Sequence, residues 1–299
     1  MVTKNRPAAL RACLTSLALI ADSLAEVIVV DDASDVPNDG VFQALPPAVV
    51  KRLRVIHQTG HEGYIVARNR IMREAATDCV LLLDDDAWLL DARSVDEARA
   101  LVERDRRVAA VAFAMATADG SPWEARTQPS PMTYACYVPS FIGFAHLLRR
   151  GVFVDLGGYR ESFHYYGEEK DYCRRLLAAG YHVVYLPTAR VAHVPDPAGR
   201  NMARYLRYVA RNDCLCALLN DPFPLVCATA PLRLAGYFVM RRNWHVIDRG
   251  GFWWVGREVL RSLADVARHR TPMTLTDVRR WRELRRVWPP YEPEAGTCA

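Results

Sequence analysis

Three carboxylates in a row, Asp84-Asp85-Asp86, end the apolar run Cys79-Val80-Leu81-Leu82-Leu83. A short apolar run of this kind reads as a strand covered on both faces of a sheet. The acids then stand at the strand's carboxyl end, where open α/β sheets place their ligands. Alternate side chains of an extended chain point the same way, so Asp84 and Asp86 can share one target while Asp85 points elsewhere. Adjacent anions repel, and a hard divalent cation with oxygen ligands relieves that repulsion. A solvated acidic turn is the plainer reading of a lone Asp-x-Asp, and only the rest of the chain decides between the two.

Other groups with chemical potential are spaced along the same half. Asp31-Asp32 closes Val27-Ile28-Val29-Val30 as a second acidic strand end. Glu168-Glu169-Lys170-Asp171 opens a helix. Acids at a helix amino end are favoured by the dipole, which gives that cluster a structural explanation as well. Arg68 lies in a helical stretch, where a guanidinium can pair with phosphate or simply face solvent. His193 follows a strand and reads equally as a ligand or a surface histidine.

The elements that must position these residues follow from periodicity and breakers. Pro7 opens a helix over residues 8–20. Strands are expected at 25–30, 52–57 and 79–83, with a helix at 64–76 entered through the loop Gly60-His61-Glu62-Gly63. A helix at 94–104, a strand at 108–114, a long loop at 119–139 and a strand at 142–149 come next. A helix at 168–179 capped by Gly180 leads to strands at 181–186 and 191–194. Strand–helix alternation implies an α/β unit with right-handed crossovers, and its boundary is expected at residue 197. Residues 198–299 read as helices only, at 202–219, 225–240, 253–268 and 275–286. They are rich in Arg and Trp, and a basic, Trp-rich face resting on a membrane is one expectation for them.

Half of the 299 residues are hydrophobic and a quarter are charged, which describes a globular chain. A net charge of +5 permits a phosphate ligand or an anionic surface without demanding nucleic acid. Eight scattered cysteines show no metal-type pairing, and free thiols in a reducing cytoplasm is the simplest account. The opening residues contain no apolar signal segment.

Taken in order, these motifs resemble family 2 glycosyltransferases of the GT-A fold, in the branch of bacterial rhamnosyltransferase-like enzymes. The resemblance covers roughly residues 1–194. It rests on Val2-Thr3-Lys4-Asn5-Arg6, Val29-Val30-Asp31-Asp32-Ala33-Ser34, Gly63 with Ala67-Arg68-Asn69, and Leu83-Asp84-Asp85-Asp86. It continues through Gly157-Gly158-Tyr159 and Gly167-Glu168-Glu169-Lys170-Asp171 to His193. The implied fold is a Rossmann-like, mostly parallel sheet flanked by helices, here with a helical C-terminal extension. The implied activity moves a sugar from a UDP- or dTDP-type donor to an acceptor hydroxyl, with inversion and with Mn2+ or Mg2+.

The resemblance implies that Asp86, with Asp84 and His193, meets the metal. Thr3, Asn5, Arg6, Asp31, Asp32, Arg68, Asn69, Asp84 and Asp85 are the residues implied around the nucleotide sugar. Glu169 stands where the family carries an aspartate base. That departure leaves the role shared between Glu169 and Glu168, with Arg174 or Arg175 expected to hold the acid cluster in place. A second departure is the apolar strand expected before Thr3, which is nearly absent from the sequence given; an upstream start is the expectation. The acceptor implied is a glycan, a lipid-linked sugar or a natural product.

Two other readings fit less well. A receiver-type phosphoacceptor module needs a lysine on a later strand, and none lies between Lys51 and Lys170. A sugar nucleotidyltransferase needs a glycine-rich basic loop, which residues 3–7 do not provide.

Overall fold

The computed structural model describes residues 1–195 and 201–293. Strand β1 (Val2–Thr3) leads into helix α1 (Pro7–Ser16), and β2 (Val27–Asp31), α2 (Asp39–Gln43), α3 (Pro47–Val50), β3 (Leu53–His57) and α4 (Tyr64–Glu74) follow. Next come β4 (Cys79–Leu83), β5 (Ala87–Leu89), α5 (Arg93–Arg104), β6 (Val108–Ala116), β7 (Cys136–Val138), β8 (Ala145–Arg149) and α6 (Arg150–Asp155). The first half closes with α7 (Glu168–Ala178) and β9 (His182–His193). The remainder is helical: α8 (Met202–Asn220), α9 (Leu225–Asn243), α10 (Gly251–Arg261), α11 (Leu263–His269) and α12 (Leu275–Val287). The expected boundary at 197 lies outside the described residues.

β1, β2 and β3 form a parallel sheet, and a second sheet runs in the order β4-β8-β6-β9-β5, with β7 on β9. All nine residues of β6 are buried, five of them alanines, so this central strand is covered on both faces. β6 and β9 are parallel, whereas β8 runs antiparallel between β4 and β6. The second sheet is therefore mixed in direction, because the long loop after β6 returns the chain along β8 instead of through a helical crossover.

Two differences from the sequence reading matter for the site. The segments expected at 181–186 and 191–194 are one strand, β9, whose register against β6 shifts between Phe113 and Ala114. A bulge around Pro187 absorbs the break that the proline imposes. The loop expected at 119–139 contains β7, whose three residues are too few to show a period.

Between β2 and β4 lies a cleft of about 830 Å³, lined by Met1, Ile28, Val80, Leu81 and Leu147 among others. The Met1 amine reaches into the ladder and donates to the Ile28 carbonyl at 2.8 Å. Burial pulls this amine down to a pKa of about 6.

The helical part shares a core with the sheet. Leu206, Ala210, Leu215 and Tyr237 belong to the same buried cluster as Ile28, Leu82, Ala110 and Tyr172. Polar ties reinforce it: Asn220 of α8 donates to Asp171 of α7 at 2.7 Å. The seven described cysteines are free thiols.

Candidate active site

Strand pairing assembles the acidic centre. β4 ends at Leu83, and the Asp84 N–H donates to the Phe144 carbonyl at 2.8 Å. The chain turns through Asp85 and Asp86 into β5, whose Ala87 pairs antiparallel with His193 of β9. That register sets His193 beside Asp86, with Nε2 at 3.3 Å from Oδ1. The Phe144 ring stacks on the imidazole at 5.1 Å. Ligand atoms of Asp84, Asp86 and His193 all lie within 4.8 Å of one another.

This trio fits a divalent cation. Two carboxylates and an imidazole make a donor set for a divalent ion. Burial acts to raise the Asp86 carboxyl, but His193 and Arg6 outweigh it and hold it below the ordinary range. The carboxylate is thus kept ionised, as a metal ligand must be. Asp85 points the other way, accepting from Thr3 Oγ1 at 2.8 Å and from Arg6 at 3.1 Å. Burial raises it to about 6 despite Arg6 and Thr3. Arg6 also reaches Asp86 at 2.9 Å, so the loop after β1 is clamped onto the acidic turn.

The second acidic group sits across one guanidinium. Arg68, buried on α4, donates to Asp84 at 2.5 Å and to the Gly143 carbonyl at 2.8 Å. Its other terminal nitrogen lies 3.3 Å from Glu168 and 3.8 Å from Glu169. Glu168 is fully buried and also accepts from the Tyr64 hydroxyl at 3.1 Å. Glu169 is 16 % exposed at the side chain. Burial raises both carboxyls, and the neighbouring charge of Glu169 pushes Glu168 well above its ordinary range. The two carboxyls therefore resist ionising together, and Glu169 is the more accessible of the pair.

Gly143 makes this approach possible. A Cβ built there falls 2.1 Å from Glu169 Oε1 and 3.2 Å from the Arg68 guanidinium. Gly167, at φ +87°, supplies the left-handed turn that starts α7 at Glu168.

Other expected site residues line the neighbouring loops. Asp31 accepts from the Ser34 N–H and from Asn38 at 2.9 Å each. Asp32 accepts from the Glu62 and Gly63 N–H groups and lies 2.7 Å from His61 Nδ1. Asn5 pairs reciprocally with Asp35, tying the loop after β1 to the loop after β2. Asn69 is buried and holds the Tyr159 backbone through both of its amide atoms, away from the acidic turn.

Arg175 holds the acid cluster through Asp171, at 3.0 Å, and also donates to the Leu156 and Gly158 carbonyls, whereas Arg174 binds Asp221 at the end of α8; the Glu168–Glu169 pair itself is met by Arg68. Sequence reading passed over Tyr64, Gly143 and Phe144. Tyr64 follows the Gly60–Gly63 loop, which hinted at a role, while nothing in the spacing around 143–144 marks it. It also passed over an aromatic row that leaves the acids. Tyr64, Tyr165, Tyr166, Tyr205 and Trp244 are each in ring contact with the next, at centroid distances between 4.1 and 6.2 Å. Asn212 of α8 pins this loop by donating to the carbonyls of Phe163, Tyr165 and Tyr166.

Known proteins are similar to this chain to different extents. The profile of glycosyl transferase family 2 matches residues 1–157, more than half of the chain. The pre-mycofactocin glycosyltransferase of Mycobacterium tuberculosis H37Rv is 31 % identical over 207 residues, covering 64 % of this chain and 41 % of that protein. The chain thus spans about two fifths of that relative's length. An uncharacterized glycosyltransferase of Bacillus subtilis, YwdF, is 27 % identical over 216 residues, covering 68 % of this chain and 75 % of that one. Among solved structures, the mannosyltransferase PcManGT of Pyrobaculum calidifontis, in complex with GDP-Man and Mn2+, superposes with a TM-score of 0.58 at 17 % identity, over 94 % of this chain and 76 % of that one. Residues 1–349 of S. aureus TarS in complex with UDP-GlcNAc superpose with a TM-score of 0.59 at 15 % identity, over 90 % and 80 %. Such identities bear on the fold alone. With its profile match, its mixed sheet flanked by helices and these structural neighbours, the chain belongs to glycosyl transferase family 2 and has the GT-A fold.

Proposed function

We propose that the chain transfers a sugar from a UDP- or dTDP-type donor to an acceptor hydroxyl, with inversion at the anomeric carbon. The observation that carries this reading is the Arg68 bridge, which joins Asp84 of the Asp84–Asp86–His193 trio to the Glu168–Glu169 pair. Asp84, Asp86 and His193 would hold Mn2+ or Mg2+, which when bound neutralises charge gathering on the departing diphosphate.

The chain's own residues account for the rest. Glu169, ionised and accessible, takes the proton of the acceptor hydroxyl. The acceptor oxygen bonds to the anomeric carbon from the face opposite the diphosphate, and the electron pair of the breaking C–O bond leaves with that diphosphate. Glu168, buried against Arg68 and the Tyr64 hydroxyl, holds the start of α7 in place beside Glu169. Arg6, exposed at the rim, presents its guanidinium to phosphate oxygens, while buried Arg68 keeps the two acidic groups side by side. Asp31 and Asp32 retain acceptor capacity beyond the loop N–H groups they hold, enough to receive the ring N–H of uracil or thymine. The row from Tyr64 to Trp244 offers stacking faces to an acceptor ring. PcManGT and TarS were each solved with a sugar nucleotide, and PcManGT also with Mn2+, which supports the reading.

Turnover of UDP- and dTDP-sugars, read as nucleotide release with Mn2+ present, tests the base. Glu169→Gln is expected to slow turnover about a hundredfold or more with nucleotide affinity unchanged. If Glu168→Gln gives that pattern and Glu169→Gln does not, the base is the buried partner.

A further inference from the structure

Helix α9 is apolar nearly all the way round, yet only one side of it is covered by protein. Ala230, Leu234, Tyr237 and Met240 face the shared core. The opposite stripe, residues 228, 231, 232, 235, 238 and 239, is Ala-Pro-Leu-Ala-Phe-Val and is exposed, with Leu232 at 70 % and Val239 at 60 %. A helix with apolar residues on every side is ordinarily enclosed. The stripe continues onto α10: Phe238 meets Phe252 at 4.6 Å, and Phe252 meets Trp253, which is 79 % exposed. Ile247, in the turn between the two helices, is 88 % exposed. The exposed apolar side chains thus run on from α9 to α10, and contiguous exposed apolar patches mark interaction sites.

Its charge identifies the partner. Residues 222–264 contain six arginines, at 233, 241, 242, 249, 257 and 261, against two acids, Asp248 and Glu258. Both acids are already engaged: Asp248 by Arg207, and Glu258 by Arg257 and Arg261. Arg241, Arg242 and Arg249 are exposed at the end of the apolar stripe. A second copy would bring the same arginines against one another, and like charges facing each other oppose association. An anionic lipid surface satisfies both parts, taking Leu, Phe and Trp at the acyl boundary and Arg at the headgroups. Among the described residues no helix is long and apolar enough to cross a membrane, and on such a surface α9 would lie in the interface plane.

We infer that the α9–α10 face docks the protein onto an anionic membrane surface. The aromatic row runs from Tyr64, beside the acids, to Trp244 at the end of α9, so a chain of ring contacts links the docked face to the acidic centre. The inference stands independently of the transfer reading.

Flotation of the full chain with phosphatidylcholine vesicles, with or without a third of phosphatidylglycerol, tests it. Binding is expected only with phosphatidylglycerol, weakening with salt. It is expected to fall about tenfold or more in Arg241→Gln/Arg242→Gln and in Leu232→Ser/Trp253→Ala, while melting temperature and circular dichroism stay unchanged. Equal binding to both vesicle types, or binding to neither, overturns the inference. So does a dimer by light scattering that Leu232→Ser/Trp253→Ala dissolves in a chain that does not float.

Discussion

Arg68 decides how the centre works. It is buried, and it holds Asp84, the Gly143 carbonyl and Glu168 together. Removing one member of a buried, hydrogen-bonded ion pair leaves the other charge unpaired, so Arg68→Met is expected to cost about 3–5 kcal/mol in urea unfolding. Gly143→Ala separates geometry from stability. Its Cβ meets the far end of the Glu169 side chain, which can swing aside, so turnover is expected to fall at least tenfold with the melting temperature little changed. A loss of folding instead would mean that the neighbouring backbone cannot yield. Burial raises the Glu169 carboxyl, and a base must be ionised to act. Turnover is therefore expected to be lost as pH falls through a pKa above the ordinary glutamate value, and an acid limb at or below that value contradicts the shift. The aspartates and glutamates were legible in the sequence because they interrupt apolar runs or open helices. Arg68 was legible as a candidate but not in its role, since its partners come from 16 and 100 residues away and no local pattern encodes them.

At the scale of elements, the site depends on two pairings that a linear reading sees only in part. The register of β5 on β9 puts His193 opposite Ala87, next to Asp86. Pro187 divided β9 in the sequence because a proline interrupts strand periodicity, while the folded chain bulges there and continues. The second device is the hold of α8 on the loop before α7. His164 and Tyr166 adopt left-handed φ values of 58° and 64°, and Asn212 satisfies the carbonyls around them. Asn212→Ala leaves those carbonyls unpaired and is expected to cost about 1–3 kcal/mol in thermal or urea unfolding, with a fall in turnover beyond that caused by an exposed control such as Arg268→Ala. An unchanged turnover would separate this loop from the reaction. Strands β2, β4 and β6 were read correctly in type because their apolar runs end in acids or turns. β5 and β7 were missed because three residues carry no period.

Across the whole molecule, one hydrophobic cluster runs from the sheet into α8, α9 and α10, so the helical part is built into the body that holds the cleft. Its helices were legible from periodicity, except that the one expected at 253–268 breaks at Ser262 into α10 and α11; their common core with the sheet was not, because contacts such as Asn220–Asp171 span 49 residues. The acidic trio, the Glu168–Glu169 pair and the aromatic row then occupy one connected region on elements drawn from both halves. The central claim is that Asp84, Asp86 and His193 bind a divalent ion that receives the donor's diphosphate next to Glu169. Calorimetric titration of UDP, dTDP and GDP with Mn2+ or with EDTA, on the natural chain and on Asp86→Ala, tests it most directly. UDP or dTDP is expected to bind at least tenfold more tightly with Mn2+ than with EDTA, and Asp86→Ala is expected to erase that difference; the same affinity under all of these conditions would contradict the account.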